Sequence, residues 1–229
     1  MCWRPGPHRR DQDRRTAPNL SIPANLGFSS AVGALAVTDY DAPWWLGALL
    51  GAAVATMIGF FNGLCITRLR MVLLIQTLPM MIILQVALLA LTQGKTITSL
   101  PEGYTWIGQA TIDGWPIMPL VFVVALIFMA VLLRRTVLGR SIYAVGGNAA
   151  AANSAGIRVD RTKIVASTIA GFLAGIGGYL LASWQMAITS NQGGSFLLYA
   201  VAAPIIGGVS AFGGRGNVIG VFGGVMLLT

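Results

Sequence analysis

The sequence predicts an all-α, polytopic transmembrane helix bundle, and three observations carry that expectation. Of its 229 residues, 55% are hydrophobic and only 10% are charged, whereas a soluble domain carries about 25% charged residues. The apolar residues come in runs of bilayer length, without the period-2 alternation of barrel strands. The basic residues gather in the short stretches between those runs, where they act as topology signals. Backbone groups inside the hydrocarbon layer need internal partners, which leaves helices or closed barrels, and the missing alternation selects helices.

Residues 1–18 stand apart. They hold Arg4, Arg9, Arg10, Arg14 and Arg15 together with Pro5, Pro7 and Pro18, and no apolar run. No apolar segment follows these arginines closely enough for a signal peptide, so the expectation is a disordered basic tail ahead of a transmembrane domain at 19–229. Seven apolar segments follow, at 20–37, 44–66, 71–91, 117–133, 164–184, 196–212 and 218–229. About 20 helical residues cross a hydrocarbon layer of ~30 Å, which makes the second, third and fifth segments clear spans and the fourth a short one. Pro23 and Pro204 interrupt the first and sixth, which are also glycine-rich, so these two are the weakest candidates. About six or seven segments are expected in the membrane.

Charge orients the chain. Arg68 and Arg70 follow the second segment, and Arg134, Arg135, Arg140, Arg158, Arg161 and Lys163 flank or fill the long loop at 134–163. The opposite loops carry Asp39, Asp41, Glu102 and Asp113 against the single Lys95. If each segment crosses once, the cationic loops and the tail share one face, which the positive-inside rule makes cytoplasmic. Trp44, Trp45, Tyr104, Trp106 and Trp115 then fall at the outer face, as an aromatic belt would.

Within the segments, small residues recur at helical spacing. Gly47, Gly51, Ala55, Gly59 and Gly63 form one stripe. Ala170, Ala174, Gly178 and Ala182, flanked by Gly171 and Gly175, form a second, and Gly216, Gly220 and Gly224 a third. Small residues let helix backbones approach closely in lipid, so Gly51, Gly59, Gly175 and Gly220 are expected helix-packing points.

Several chemistries lack their residues. The net charge of +8 raises nucleic-acid binding, but the cations sit between apolar runs without interleaved aromatics, and no nucleic-acid partner is expected. Gly94-Lys95-Thr96 has only the tail of a phosphate-binding loop, with Leu89 at the first glycine position, so ATP hydrolysis is not expected on this chain. Gly213-Gly214-Arg215-Gly216 lacks the spacing and strand context of a dinucleotide site. His8 is the one histidine, and Cys2 and Cys65 form no disulfide framework, so no metal, cofactor or catalytic residue is assigned. The uncharged polar groups expected inside the membrane are Asn62, Gln76, Thr77, Gln85, Ser167, Thr168 and Ser210. Of these, Asn62, Thr77, Gln85, Ser167 and Ser210 are candidates to line a path for a neutral polyhydroxylated solute, which needs hydrogen bonds and no counter-charge. A bond to a neighbouring helix is the alternative for each of them.

The long loop carries the most specific pattern. Gly139-Arg140-Ser141-Ile142-Tyr143-Ala144-Val145-Gly146-Gly147-Asn148 precedes Ala149–Ala152 and then Asn153-Ser154-Ala155-Gly156-Ile157. The spacing predicts a short helix over 149–155, with Asn148 as N-cap and Gly156 as C-cap, lying on the cytoplasmic membrane surface.

These residues resemble the permease subunits of bacterial ABC sugar importers of the ribose and xylose type. That family carries Gly-Arg-x-Ile-Tyr-Ala-x-Gly-Gly-Asn, an alanine-rich helix and then Ser/Ala-Gly-Ile. A second match is Ala200-Val201-Ala202-Ala203-Pro204-Ile205-Ile206-Gly207-Gly208-Val209-Ser210, followed by Gly213-Gly214-Arg215-Gly216. The stretch Thr189-Ser190-Asn191-Gln192-Gly193 is similar to the xylose-type branch, and Asn19-Leu20-Ser21-Ile22 and Thr77-Leu78 are weaker matches. The resemblance runs from about Asn19 to the last residue.

It implies an inner-membrane permease that pairs with a second permease copy and two cytoplasmic ATP-binding subunits, fed by a periplasmic or lipid-anchored sugar-binding protein. It also implies that Gly146, Gly147, Asn148, Ala151, Ala152, Gly156 and Ile157 belong to the segment that docks the ATPase. The sequence departs from the family in places. Ala149 and Asn153 stand where a Glu and a basic residue are usual, Gln85-Val86 replaces Arg-Gly, and Leu197 and Tyr199 replace acidic residues. The family's chains are also longer, which implies that spans at both ends are missing here. A permease for branched-chain amino acids or nucleosides, a stand-alone channel or secondary carrier, and a non-functional fragment remain as alternatives.

Overall fold

The structure, a computed structural model, describes residues 19–69, 71, 73–98, 100–112, 115–210, 213–214 and 216–228. The basic tail, Cys2, His8, Arg70 and Arg215 lie outside the described residues. The helices in chain order are α1 (Ile22–Thr38), α2 (Trp44–Arg68), α3 (Leu73–Thr92), α4 (Glu102–Gln109), α5 (Ile117–Arg135), α6 (Val137–Gly147), α7 (Ala149–Ser154), α8 (Val159–Gln185), α9 (Leu197–Ile206) and α10 (Val218–Leu228). A two-residue hairpin of β1 (Thr111–Ile112) and β2 (Trp115–Pro116) leads into α5. Four helices, α2, α3, α5 and α8, are long and apolar enough to cross a membrane.

The core is a seam of three helices. α2 and α8 run antiparallel in close contact, and α1 lies against both. A Cβ added at Gly175 would stand 2.7 Å from Ala52 Cα, one at Gly59 would stand 2.5 Å from Ser167 O and 2.9 Å from Gly171 Cα, and one at Gly63 would stand 2.8 Å from Ile164 Cα. α1 is keyed to α2 in the same way. A Cβ at Gly33 would stand 2.6 Å from Gly47 O, and one at Gly51 would stand 2.9 Å from Ser29 O. Asn25 Nδ2 donates to Ala55 O at 3.1 Å, and Asn62 Nδ2 donates to Ser21 Oγ at 3.0 Å. Lipid tails are as apolar as leucine, so close backbone approach and interhelical polar contacts take over from hydrophobic drive. The stripes read from the sequence are the surfaces that meet.

α1 is the most enclosed helix of the seam, although its proline and glycines made it a weak candidate. Pro23 falls in its first turn, where the missing N–H has no intrahelical partner to lose. The glycine face is what admits α2.

The sixth segment, a weak candidate for a span over 196–212, holds a helix of only 10 residues, Leu197–Ile206. After α8 the chain turns at Met186, whose φ is 51°, and pairs Ile188 with Ile97 in an antiparallel bridge. It then descends along α1, setting the Gln192 carbonyl against Gly27 and Gly193 against the Pro23 carbonyl. A 3-10 turn at Gly194–Phe196 opens α9. Asn25 is level with Ala55, near the middle of α2, so Gln192 and Gly193 lie level with the middle of that candidate span. The outer half of this crossing is irregular, and the inner half is a helix of 10 residues, roughly 15 Å long. The physical reason lies in Thr189-Ser190-Asn191-Gln192-Gly193-Gly194, where small polar residues compete for backbone hydrogen bonds and glycine disfavours helix.

The outer face holds a second correction. Trp44, Trp45 and Trp106 are exposed as a belt requires, but Tyr104 is only 1% exposed. α4 lays it over Gly33 and Gly47, where its ring meets Tyr179 edge-on at 4.8 Å between centroids. Gly108 N donates to Ser183 Oγ at 2.7 Å, which ties α4 to the outer end of α8. Burial, and secondarily the neighbouring Tyr179, raise the Tyr104 phenol well above its ordinary value.

Gly59→Ala is expected to lower stability by about 1–3 kcal/mol through overpacking, whereas Gly223→Ala, where nothing lies within 4 Å, should leave it unchanged or slightly raised; thermal unfolding in detergent checks both. A raised folded-state value keeps Tyr104 neutral while the unfolded chain ionises above about pH 10. Stability is therefore fully present below that pH and falls as pH rises beyond it. Melting temperatures between pH 8 and 11 should fall less steeply in Tyr104→Phe.

Candidate functional site

The long loop at 134–163 begins at a corner. α5 ends at Arg135, and Thr136 Oγ1 accepts from Gly139 N at 3.1 Å to cap α6. A Cβ at Gly139 would stand 2.5 Å from Leu133 Cα, so the corner folds back tightly on α5. Asn148 then caps α7, its Oδ1 accepting from the backbone N of Ala150 and Ala151 at 3.0 Å each. The helix spans Ala149–Ser154, one residue shorter than the expected 149–155. Gly156 follows it with φ +82°, and Ile157 N donates back to Ala152 O at 3.0 Å, a left-handed stop that glycine adopts without strain. Ala152 is buried, whereas Ala150, Ala151, Asn153, Ser154 and Gly156 are exposed. The tip is an uncharged, small-residue knob held on a rigid stem.

That stem is fastened to the turn between α9 and α10. A Cβ at Gly146 would stand 2.7 Å from Gly214 N, Gly147 meets Gly214 at similarly short range, Tyr143 Oη donates to Gly216 O at 2.9 Å, and Arg134 donates to Asn217 Oδ1 at 2.6 Å. α9 and α10 are in turn pressed together, with Gly220 against Gly207 and Gly224 against Ala203. A cavity of about 390 Å³ opens between these parts, lined by Leu133, Tyr143, Lys163, Pro204 and Asn217 among others. α7 is therefore connected to α9 through α6 and the turn between α9 and α10, by contacts between neighbouring backbones.

The polar candidates of the path fall into separate places. Asn62 and Thr77 are buried, at 1% and 0% exposure. Gln85 is half-buried on α3. Ser167 is half-buried and packs between Gly59 and Gly63 of α2, its Cβ 3.2 Å from where a Gly63 Cβ would stand. Ser210 lies beyond α9 on the turn to α10, its carbonyl accepting from Gly213 N at 3.0 Å. Sequence reasoning did not place Asn25 or Gln192 among the path candidates. Asn25 could have been found as an amide inside an apolar run; Gln192 entered only within the Thr189–Gly193 match, outside any apolar pattern. Among the described residues, the buried side-chain atoms left without a hydrogen-bond partner are Asn25 Oδ1, Asn62 Oδ1, Thr77 Oγ1 and both polar atoms of Gln192. Among the described residues no group of His, Cys, Asp or Glu could hold a metal ion, and Cys65 is a free, half-buried thiol.

Residues 15–229 match the family described as branched-chain amino acid transport system / permease component. The chain is 36% identical over 213 residues to the ribose import permease protein RbsC of Bacillus subtilis (strain 168), covering 92% of this chain and 66% of that one. It is 36% identical to the autoinducer 2 import system permease protein LsrC of Enterobacter sp. (strain 638), covering 92% of this chain and 61% of that one. The Klebsiella pneumoniae LsrC is 37% identical, with 92% and 61% covered. The chain thus spans just under two thirds of the length of these curated relatives. No solved structure matches. With the match running through every described helix, the chain belongs to the family of branched-chain amino acid transport system permease components.

Proposed function

We propose that the chain is the membrane-spanning subunit of an ATP-driven importer that carries a monosaccharide, a pentose or hexose, across the inner membrane by alternating access. Hydrolysis takes place on separate cytoplasmic ATP-binding subunits, and the working unit holds a second permease copy and a periplasmic or lipid-anchored sugar-binding protein. The observation that carries this reading is the fastening of the α6–α7 loop to the turn below the broken sixth crossing. A loop that docks an ATPase needs a stiff route to the element that opens and closes, and Gly146–Gly214, Tyr143–Gly216 and Arg134–Asn217 supply one. Packed elements of this kind have discrete arrangements rather than a continuum, so differential ATPase contact can shift one access state toward the other.

The nature of the solute follows from the polar groups and from the relatives. Inside the seam the buried polar side chains are amides and hydroxyls, which suit a neutral solute with many hydroxyls. The relatives named for ribose and autoinducer 2 favour this reading over an amino-acid permease, whose zwitterionic solute asks for charge partners.

Labelled pentose and hexose uptake in cells making the chain with its ATPase and binding protein should depend on ATP; uptake that survives ATP depletion would identify a secondary carrier instead. Ala151→Trp, at the exposed tip of α7, is expected to leave the melting temperature unchanged and to reduce co-purification of the ATPase about tenfold, on the order of 1.4 kcal/mol. Asn148→Ala should weaken the same association more mildly, since it removes a cap worth about 1 kcal/mol.

A further inference from the structure

Gln192 is 4% exposed and lies at the break of the sixth crossing, yet neither its Oε1 nor its Nε2 has a hydrogen-bond partner. An amide in water satisfies two acceptor and two donor positions, and burying one unsatisfied costs about 1–3 kcal/mol. Its main chain is placed firmly. Gln192 N donates to Thr189 O at 3.1 Å, its carbonyl abuts Gly27, and the Leu88 side chain closes on the same spot of α1. The neighbouring Gly193 has φ +96° and rests on the Pro23 carbonyl, so the backbone cannot rotate the amide away without leaving α1. Irregular backbone at membrane depth is tolerated where it is enclosed by protein or lines a cavity. Here Ile188, Gln192 and Gly193 are buried while Thr189, Asn191 and Ser195 are exposed, so one costly amide is turned in against α1. A residue chosen for packing alone at this position would be apolar.

We propose that Gln192 is a solute-contacting residue that sets specificity: during passage its carboxamide hydrogen-bonds a hydroxyl group of the neutral solute near the middle of the bilayer. This rests on the import reading above, and it assigns the contact to the non-helical half of the sixth crossing rather than to the helices that flank it. Oε1 accepts from a hydroxyl and Nε2 donates to a hydroxyl oxygen, so adjacent hydroxyls can satisfy both atoms at once. In the state described here the seam is closed around the amide, which then lacks a partner.

The test uses the assembled transporter of permease, ATPase and binding protein in proteoliposomes, at saturating solute-loaded binding protein. Gln192→Met keeps the side-chain length and removes the unsatisfied amide. Its melting temperature should be equal to or above that of the parent chain, while the maximal uptake rate of the best-transported monosaccharide falls about 2–12-fold, the range of one neutral hydrogen bond. The parent chain should discriminate between that sugar and its monodeoxy analogues; Gln192→Met should lose discrimination at one hydroxyl, and Gln192→Asn should retain part of it. Unchanged uptake and unchanged discrimination in Gln192→Met would overturn the assignment and leave the import reading standing. A lowered melting temperature in that variant would overturn it too, because the amide would then be serving the fold. If the parent assembly imports no monosaccharide, the import reading falls first and this assignment with it.

Discussion

Close approach of backbones in a solvent that offers no hydrophobic drive is the constraint on which the rest of this structure depends. α1, α2 and α8 meet where Gly33 faces Gly47, Gly51 faces Ser29, Gly59 faces Gly171 and Gly175 faces Ala52. At such distances dispersion acts between main chains, and a single methyl group would force the helices apart. Because the seam holds α1 against α2 along its length, α1 becomes a rail on which the irregular part of the sixth crossing can rest. Gln192 and Gly193 touch Gly27 and Pro23 of that rail, and without it the broken backbone would stand unsupported in lipid.

The break divides the molecule mechanically. Above it, the outer half of the sixth crossing is tied to α1 and, through Ile188 and Ile97, to the loop after α3. Below it, α9 belongs with α10 and with the long loop, to which Gly214, Gly216 and Asn217 attach it. Gly193 and Gly194 sit between the two halves. α7 is thus joined through α6 and the turn at Gly214, Gly216 and Asn217 to α9, whose other end meets the non-helical stretch at Gly193.

Reading the chain by hydropathy worked where the physics is local. The long spans α2, α3, α5 and α8 were legible because apolar length alone specifies them, and the cap of α7 was legible because Asn148 and Gly156 have conformational preferences that act within one turn. The small-residue stripes were visible too, though not which stripe meets which. Two features were hidden for a common reason. The enclosure of α1 and the burial of Tyr104 each depend on residues far away in sequence, and a hydropathy window weighs only neighbours. Ser210 illustrates the same limit from the other side: counted within an apolar segment, it lies on the turn to α10 because α9 stops at Ile206.

By itself, the sequence determined that the chain lives in a membrane, which long segments are helical and where a short capped helix would stand in the loop after the fourth span. Composition, charge placement and capping chemistry need no partner to act, and so they survive in one dimension. Only the tertiary structure decided that this loop is joined to the turn below the sixth crossing, and that an amide without a partner is held at the break of that crossing. Those facts depend on which surfaces come together, and in lipid that choice is made by the fit of whole helix faces.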